Sequence, residues 1–366
     1  EDNSEEIESN VDKNHNFESY TVYNDYWDEI PFPKSVNDNA PPLHFDSRFE
    51  SGNLQKAIRI DEFDYFLQLK SDLNTNGHVQ WFFFQVKNML KNHEYQFTLG
   101  NFTKPKSLFN NGMKILIYSK KKQEKENIGW YRTGYNISYT KNKKSNSNKM
   151  TFLLDMSIIF PEDNDTCYIA YCYPYTYSDL QRDINILKNN NELLNILTHE
   201  IIGESLIKNK IDLLTITNND IDNKRKKVIV ITGRVHPFKL YVSNVLYIVY
   251  AYQGETNSSF MVKGFIDFMT GNSNEAKYIR DNYIVKIIPM LNPDGVISVR
   301  YDLNRCWRLS EKKLIKYSPE IYTVIKMIDK TLENNDIEMF VDMHGHSRKF
   351  GTFLYGCNND EDDDNR

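Results

Sequence analysis

The stretch VIVI at Val228–Ile231 decides the fold. An uninterrupted run of β-branched residues predicts a strand in a sheet that is covered on both faces. Apolar strand patterns and helical patterns alternate along the second half of the chain, which predicts an α/β layer fold. The other predicted strands are Asp212–Thr217, Tyr283–Met290, Glu338–Met343 and Thr352–Tyr355, and the predicted helices are Asp179–Lys188, Leu193–Leu206, Asn257–Thr270 and Ile321–Leu332.

The helix predicted at Asn257–Thr270 has a distinct apolar pattern. An apolar face of this kind is typical of a helix that packs against a core. Gly271 is placed to end the helix. The residues assigned to the apolar face are Phe260, Met261, Gly264, Phe265, Phe268 and Met269.

The first half of the chain predicts a different architecture. From Leu43 to Tyr177, short aromatic or β-branched runs are separated by polar turns, which predicts an antiparallel β-sandwich. Lys120–Glu126 and Lys141–Lys149 are interpreted as hairpin insertions of low complexity. Residues 1–40 are acidic and polar and are predicted to be disordered. The predicted organisation is a disordered segment at 1–40, a β-sandwich domain at 41–177 and a second domain at 178–366.

Composition excludes several classes of protein. The 366 residues carry a net charge of −5, so there is no basic footprint for nucleic acid and no polybasic membrane patch. No apolar run is long enough for a transmembrane helix, and no basic-then-apolar signal opens the chain. The four cysteines have neither metal-binding nor secreted-disulfide spacing. A cytoplasmic location is therefore expected.

Three side chains with metal-binding chemistry lie next to predicted strands or a predicted helix start. His236 follows the VIVI strand, Glu255 stands at the start of the next helix, and His344 follows the strand Glu338–Met343. Open α/β sheets place ligand sites at this edge, so we expect the three loops to converge on one metal ion. Two imidazoles and one carboxylate, with a fourth position left for water, are the ligand set of a catalytic zinc.

Sixteen residues interrupt the sequence between two of these candidate ligands. Joined directly, the flanking fragments would read His-Pro-Gly-Glu, a His-x-x-Glu pair, so the sixteen residues are interpreted as an insertion. Phe238–Gln253, rich in Tyr, Val, Ile and Leu, lies between His236-Pro237 and Gly254-Glu255. Two interpretations are open. The insertion is either a β-hairpin that leaves both ligands in place or translated intron sequence from a faulty gene model.

A second candidate site follows the predicted strand Tyr283–Met290. The turn sequence NPDG at 292–295 comes first, and Asn304 and Arg305 stand side by side further on. An arginine guanidinium offers the planar fork that grips a carboxylate at two points. Beside a zinc site, the Asn-Arg pair predicts recognition of the terminal carboxylate of a peptide.

From about Leu43 to Cys357, the chain resembles the cytosolic carboxypeptidases, a subfamily of the zinc metallocarboxypeptidases. The segments that carry the resemblance are GWYR at 129–132, DTCY at 165–168, YPYTYSDLQ at 173–181, the split pair HP at 236–237 and GETNSS at 254–259, MLNPDGV at 290–296, DLNR at 302–305 and HGHSRK at 344–349.

The resemblance implies a carboxypeptidase-like α/β domain, with a mixed sheet flanked by helices, preceded by an antiparallel β-sandwich. It implies that His236, Glu255 and His344 bind one Zn²⁺ ion and that Asn304 and Arg305 hold the terminal carboxylate of the substrate. The implied function is removal of C-terminal residues, above all glutamates, from acidic protein tails such as those of tubulin.

The chain departs from the family pattern in two further places. The segment between Gly295 and Asp302 is shorter than in the family. The family carries there an arginine that stabilises the oxyanion, and Arg300 is the one basic residue in this chain that could take that role. The family's general base, a glutamate on a strand well after the His-Gly-His segment, has no counterpart before Arg366. The chain is therefore expected to be incomplete at its C-terminal end and nearly inert by itself. The alternative is a pseudoenzyme that binds acidic tails without cleaving them.

Overall fold

The computed structural model describes residues 17–26, 40–71, 79–143, 150–223, 226–235, 255–297, 303, 306–345 and 351–354. Within these ranges the chain forms three β-sheets, two from residues 20–170 and one from residues 197–343. No helix in these ranges is long and apolar enough to cross a membrane.

The first two sheets share one hydrophobic core and form the predicted β-sandwich. Neighbouring strands are antiparallel, except that β4 and β6 pair in parallel. The first sheet has the order β1 (Tyr20–Asn24), β3 (Leu54–Asp61), β4 (Asp64–Leu69), β6 (Glu94–Phe102), β10 (Phe152–Ile159) and β9 (Tyr135–Lys141). The second has the order β2 (His44–Asp46), β5 (Phe83–Lys87), β11 (Thr166–Ala170), β7 (Ile115–Ser119) and β8 (Tyr131–Thr133).

Aromatic side chains fill the space between these two sheets. Tyr65 and Phe97 of the first sheet and Phe84 and Ile117 of the second are all buried in the same cluster. The rings of Tyr65 and Phe97 meet edge to face, with centroids 5.9 Å apart, which is a preferred arrangement of aromatic rings. The alternation of side chains along each strand places these residues on the inner faces.

The third sheet is mixed and carries the predicted α/β layer. Its order is β12 (Leu197–Glu204), β13 (Lys210–Ile216), β15 (Tyr283–Ile288), β14 (Lys227–Gly233) and β16 (Ile337–Met343). β14 runs parallel to both β15 and β16, whereas β13 is antiparallel to β12 and β15. The α-helices of the described residues are α1 (Lys120–Glu126), α2 (Tyr177–Lys188), α3 (Thr256–Thr270), α4 (Asn274–Asn282), α5 (Pro293–Ile297), α6 (Glu311–Tyr317) and α7 (Pro319–Leu332).

The side chains of the VIVI stretch are packed on both faces of this sheet, as predicted. Val228 and Val230 pack into a cluster that contains residues of α7. Ile229 and Ile231 pack into the opposite cluster, which contains residues of α3. The predicted α/β fold with a preceding sandwich is therefore confirmed, whereas the boundaries at 40 and 177 stay predictions.

Two local predictions are wrong. Leu193–Leu206 was expected to be helical, but its larger part forms β12, because pairing with β13 supplies hydrogen bonds that override a weak local preference. Lys120–Glu126 was expected to be a hairpin insertion but forms α1. Ser119 accepts a hydrogen bond from the backbone N–H of Lys122 at its N-terminus, and Asn127 ends it in a left-handed conformation with φ 55°.

Two segments at the ends also differ from expectation. Tyr20–Asn24 lie within the segment predicted to be disordered, yet they form β1 and pair with β3. Arg59 contributes to this arrangement, since its buried guanidinium donates to the hydroxyl of Tyr20 at 2.8 Å. Residues 352–354 form no strand, and Tyr355 lies outside the described residues.

The buried face of α3 is not the predicted one. Val262, Ile266 and Met269 pack against the sheet, whereas Phe260 and Met261 are each 44% exposed. The helix is apolar on both sides, so its periodicity alone did not identify the face that meets the sheet. Of the six residues assigned to the core-facing side, Met269 is buried and Phe265 packs partly buried against the same cluster. Gly271 ends the helix as predicted.

Candidate metal centre

Three chain segments meet where β14 and β16 end. Gly233 and Met343 are the last paired residues of these parallel strands. Beyond them the chain continues to Arg234 and Val235 on one side and to His344 on the other. Glu255 is the N-terminal capping residue of α3, whose first turn lies against both strand ends.

Glu255 and His344, two of the three predicted metal ligands, face each other. Glu255 Oε2 lies 3.5 Å from His344 Nδ1, and the exposed fractions of the two side chains are 2% and 14%. The other ring nitrogen, Nε2, lies 2.6 Å from Asp342 Oδ2. Asp342 is itself held by Thr232, whose hydroxyl donates to Oδ1 at 2.7 Å. This chain of contacts fixes the orientation of the imidazole.

The charges around His344 favour its protonated form in the metal-free protein. Burial lowers the pKa of His344, but the hydrogen bond to Asp342, the contact with Glu255 and the charges of both carboxylates raise it to about 10. A ligating imidazole must be neutral, so metal binding at Nδ1 has to release this proton. Burial lowers the pKa of the nearby Arg234 to about 10, and the charge of Glu255 opposes that shift.

The side chains present fit a zinc ion. Both carboxylate oxygens of Glu255 are buried and accept no hydrogen bond in the part of the chain that is described. They face an imidazole whose second nitrogen is held by a carboxylate, which is the usual outer-shell arrangement around zinc. No group of three or more His, Cys, Asp or Glu side chains suited to a metal occurs among the described residues. The third predicted ligand, His236, lies outside them.

The NPDG segment, at the start of α5, is buried beside this centre. Asn292 donates from its backbone N–H to the carbonyl of Arg234 at 3.2 Å. Asp294 is 1% exposed and accepts hydrogen bonds from the Ser205 hydroxyl, the Ile207 backbone N–H and the Asn209 amide. The sequence predicted a turn here, but Pro293–Gly295 begin the short helix α5. The contacts of this segment with the residues after β14 and with the β12–β13 connection were not predicted.

The sandwich contacts the same region. Ser51 donates its hydroxyl hydrogen to the carbonyl of Val296 at 2.8 Å. The thiol of Cys172 lies 3.2 Å from the hydroxyl of Thr256, the residue after Glu255. Burial raises the pKa of Cys172, which keeps this thiol protonated and suited to packing rather than to nucleophilic chemistry.

Several predicted residues lie outside the described ranges. They are His236, Arg300, Asn304, Arg305 and the insertion Phe238–Gln253. The roles assigned to them stay predictions, and both interpretations of the insertion remain open. Their described neighbours are informative, because Val235, Leu303 and Cys306 are buried in one cluster. The residues that adjoin His236 and those that bracket Asn304 and Arg305 therefore share a core.

Sequence reasoning assigned no role to Asp342 or Ser258. A signal for Asp342 was present, since residues two apart on a strand point to the same side. Asp342 and His344 have that spacing at the end of β16. Ser258 carried no comparable signal, because a serine in the first turn of a helix is common and its partners belong to distant strands.

Two family profiles match the chain. The profile described as cytosolic carboxypeptidase N-terminal domain matches residues 45–171, and the profile described as zinc carboxypeptidase matches residues 186–316. The chain is 43% identical over 328 residues to human cytosolic carboxypeptidase 2, covering 87% of this chain and 34% of that protein. It is 39% identical over 337 residues to bovine cytosolic carboxypeptidase 3, covering 89% of this chain and 32% of that protein. The chain thus spans about a third of the length of these relatives.

Solved structures share the fold. A metallo-carboxypeptidase from Burkholderia cenocepacia matches with a TM-score of 0.61 and 20% identity, over 83% of this chain and 71% of that chain. A metallo-carboxypeptidase from Pseudomonas aeruginosa matches with a TM-score of 0.59, also at 20% identity, over 83% of this chain and 70% of that chain. At this level of identity the likeness establishes the fold alone.

Proposed function

Because this chain belongs to the cytosolic carboxypeptidase family, we propose that the protein is a zinc-dependent carboxypeptidase that binds one Zn²⁺ ion. One observation carries this proposal. The buried carboxylate of Glu255 and the Nδ1 atom of His344 lie 3.5 Å apart at the end of β16. His236 would supply the third ligand from the loop after β14.

The residues of the chain have separate roles in this proposal. Asp342 holds a proton of His344 on Nε2, which directs Nδ1 towards the proposed metal position. Glu255 supplies a negative charge that offsets that of the cation. When bound, zinc polarises the scissile carbonyl and lowers the pKa of a bound water.

The substrate is proposed to be an acidic C-terminal tail that ends in glutamate, such as that of tubulin, in the cytoplasm. Asn304 and Arg305 would hold the terminal carboxylate, since a guanidinium and a carboxylate can make two parallel hydrogen bonds. Arg300 would stabilise the oxyanion. The shared burial of Val235, Leu303 and Cys306 supports this placement, because it brings the neighbours of both candidate sites into one core.

Zinc content tests the metal site directly. The purified 366-residue chain should contain one zinc ion per molecule, and His344→Ala should lose it. His199→Ala is a matched control, because the His199 side chain has a similar exposure, 11%, and also contacts a carboxylate, Asp212, at 2.8 Å. The control should retain zinc. Absence of zinc from the unchanged chain would overturn the proposal.

Peptides that end in glutamate test the substrate. A peptide with a free C-terminus should bind, whereas its C-terminally amidated form should not. Release of glutamate should be slow in these 366 residues, because the general-base glutamate of the family has no counterpart before Arg366. Arg305→Lys should weaken binding by about 1–3 kcal/mol, because lysine cannot make the planar two-point contact. Equal binding of the free and amidated peptides contradicts this role of Arg305. Binding without release of glutamate, by a chain extended to carry the general-base strand of the family, would instead identify a pseudoenzyme.

A further inference from the structure

The first turn of α3 touches both strand ends that lead to the metal centre. Ser258 is fully buried, three residues after Glu255. Its hydroxyl oxygen accepts a hydrogen bond from the backbone N–H of Arg234 at 3.1 Å. The same hydroxyl donates to the carbonyl oxygen of Met343. A serine hydroxyl can play both roles at once, because it has one donor hydrogen and two acceptor lone pairs.

These contacts place Ser258 between the segments that carry the three proposed ligands. Arg234 precedes His236 by two residues, and Met343 immediately precedes His344. Ser258 also donates its own backbone N–H to the carbonyl of Glu255 at 2.9 Å. Beyond the last paired residues, Gly233 and Met343, β14 and β16 no longer pair with each other. The Ser258 hydroxyl connects the strand ends at this point.

Both strand ends approach α3 at a glycine. A Cβ atom on Gly233 would lie 2.8 Å from Val262 and 3.2 Å from the Ser258 hydroxyl oxygen. A Cβ atom on Gly345 would lie 2.4 Å from the side-chain oxygen of Asn257. The backbone therefore packs directly against the first turn of the helix. Such packing leaves little room for the strand ends to shift independently of α3.

We propose that Ser258 is a positioning residue for the metal centre, and this inference rests on the zinc site proposed above. Its hydroxyl sets the distance between the three ligand-bearing segments. A zinc site tolerates only small displacements of its ligands, because the ligand bonds are all about 2.0–2.2 Å long. Removing the hydroxyl frees Arg234 and Met343 to move by amounts that the fold tolerates but the metal geometry does not.

The test compares Ser258→Ala with Ser259→Ala in the full chain. Ser259 is the matched control: it is adjacent and 3% exposed, and its hydroxyl has no hydrogen-bond partner among the described residues. Zinc affinity is measured by competition with a chelator, and thermal unfolding is measured on the metal-free forms. Ser258→Ala should weaken zinc binding about 10–100-fold, as the loss of other outer-shell partners does. Ser259→Ala should bind zinc as the unchanged chain does.

The outcomes separate the two proposals. If the unchanged chain binds no zinc, the proposed function and this inference both fail. If it binds zinc and both alanine variants match its affinity, the inference alone is overturned. Should Ser258→Ala not fold, amide hydrogen exchange in the unchanged chain decides the matter. Zinc should slow exchange of the Arg234 N–H, and an equal rate with and without zinc would overturn the inference.

Discussion

Two buried carboxylates, one in the sandwich and one at the end of the mixed sheet, have opposite surroundings. Asp165 is 1% exposed and accepts hydrogen bonds from the Ser119 hydroxyl and from the backbone N–H groups of Lys121 and Thr166. Glu255 is 2% exposed, and no hydrogen-bond donor satisfies either oxygen in the described part of the chain. Its charge instead faces His344.

The difference indicates that Asp165 stabilises the fold, whereas Glu255 is suited to binding a metal ion. A buried charge without hydrogen bonds is costly, so it persists where another group, such as a cation, compensates it. Asp165 needs no further partner, because the start of α1 and the strand β11 already satisfy it. Four predictions test this contrast, in order of decreasing expected effect.

Glu255→Gln should reduce zinc affinity by more than the about 10–100-fold typical of an outer-shell partner, because it removes a ligand charge. The metal-free protein should remain folded but be less stable, because the protonated His344 loses one of its two charge partners. Glu320→Gln, at a second buried glutamate, is the control and should retain zinc. Chelator competition measures both variants. Unchanged zinc affinity in Glu255→Gln would remove the contrast with Asp165.

Asp165→Asn should have the opposite profile. The side-chain NH2 group of Asn would face groups that now donate hydrogen bonds to Asp165. The free energy of unfolding should therefore fall by about 2–3 kcal/mol. Zinc affinity of the folded protein should not change. Urea unfolding followed by circular dichroism measures the first effect and chelator competition the second. A stable Asp165→Asn variant would show that this buried acid is not structural.

Asp342→Asn should weaken zinc binding about 10–100-fold, because an uncharged partner no longer fixes the Nε2 proton of His344 as strongly. The strand pairing of β16 should be preserved, since Asn is nearly the same size as Asp. Zinc titration measures the affinity. An effect as large as that of Glu255→Gln would make Asp342 itself a metal ligand.

Asp64→Asn should give the smallest effect, and one that depends on pH. Burial is the main cause that raises the pKa of Asp64 to about 6, with the charges of Asp61 and Asp155 adding to it. Above pH 6 the folded protein has to ionise this buried acid, whereas below about pH 3.8 both states keep the proton. The variant should therefore be more stable than the unchanged chain at pH 8, by on the order of 1 kcal/mol after allowance for partial exposure.

At pH 3.5 the gain from Asp64→Asn should disappear. Asp220→Asn, at an exposed position, should show no difference between the two pH values. Thermal unfolding scans at pH 8 and pH 3.5 provide the comparison. A gain of equal size at both pH values would show that burial of the charge at Asp64 does not limit stability.

Much of the fold could be read from local patterns. The strand predicted at Tyr283–Met290 is β15, and the helix predicted at Asn257–Thr270 is α3, each within two residues at either end. Long periodic segments are predictable because the polar or apolar character of each residue follows its burial in the helix or strand. The segment Leu193–Leu206 was not predictable in this way, because β12 exists through its pairing with β13.

The metal centre, like the fold, could be predicted only in part from the sequence. The sequence by itself predicted that Glu255 and His344 lie at one edge of the sheet, since the ends of parallel strands and the starts of the helices between them meet at that edge of an α/β sheet. Only the tertiary structure decided that Nδ1 of His344 faces Glu255, that Asp342 holds Nε2 and that Ser258 joins both strand ends. Such contacts depend on side-chain directions across elements far apart in sequence, which no local pattern encodes.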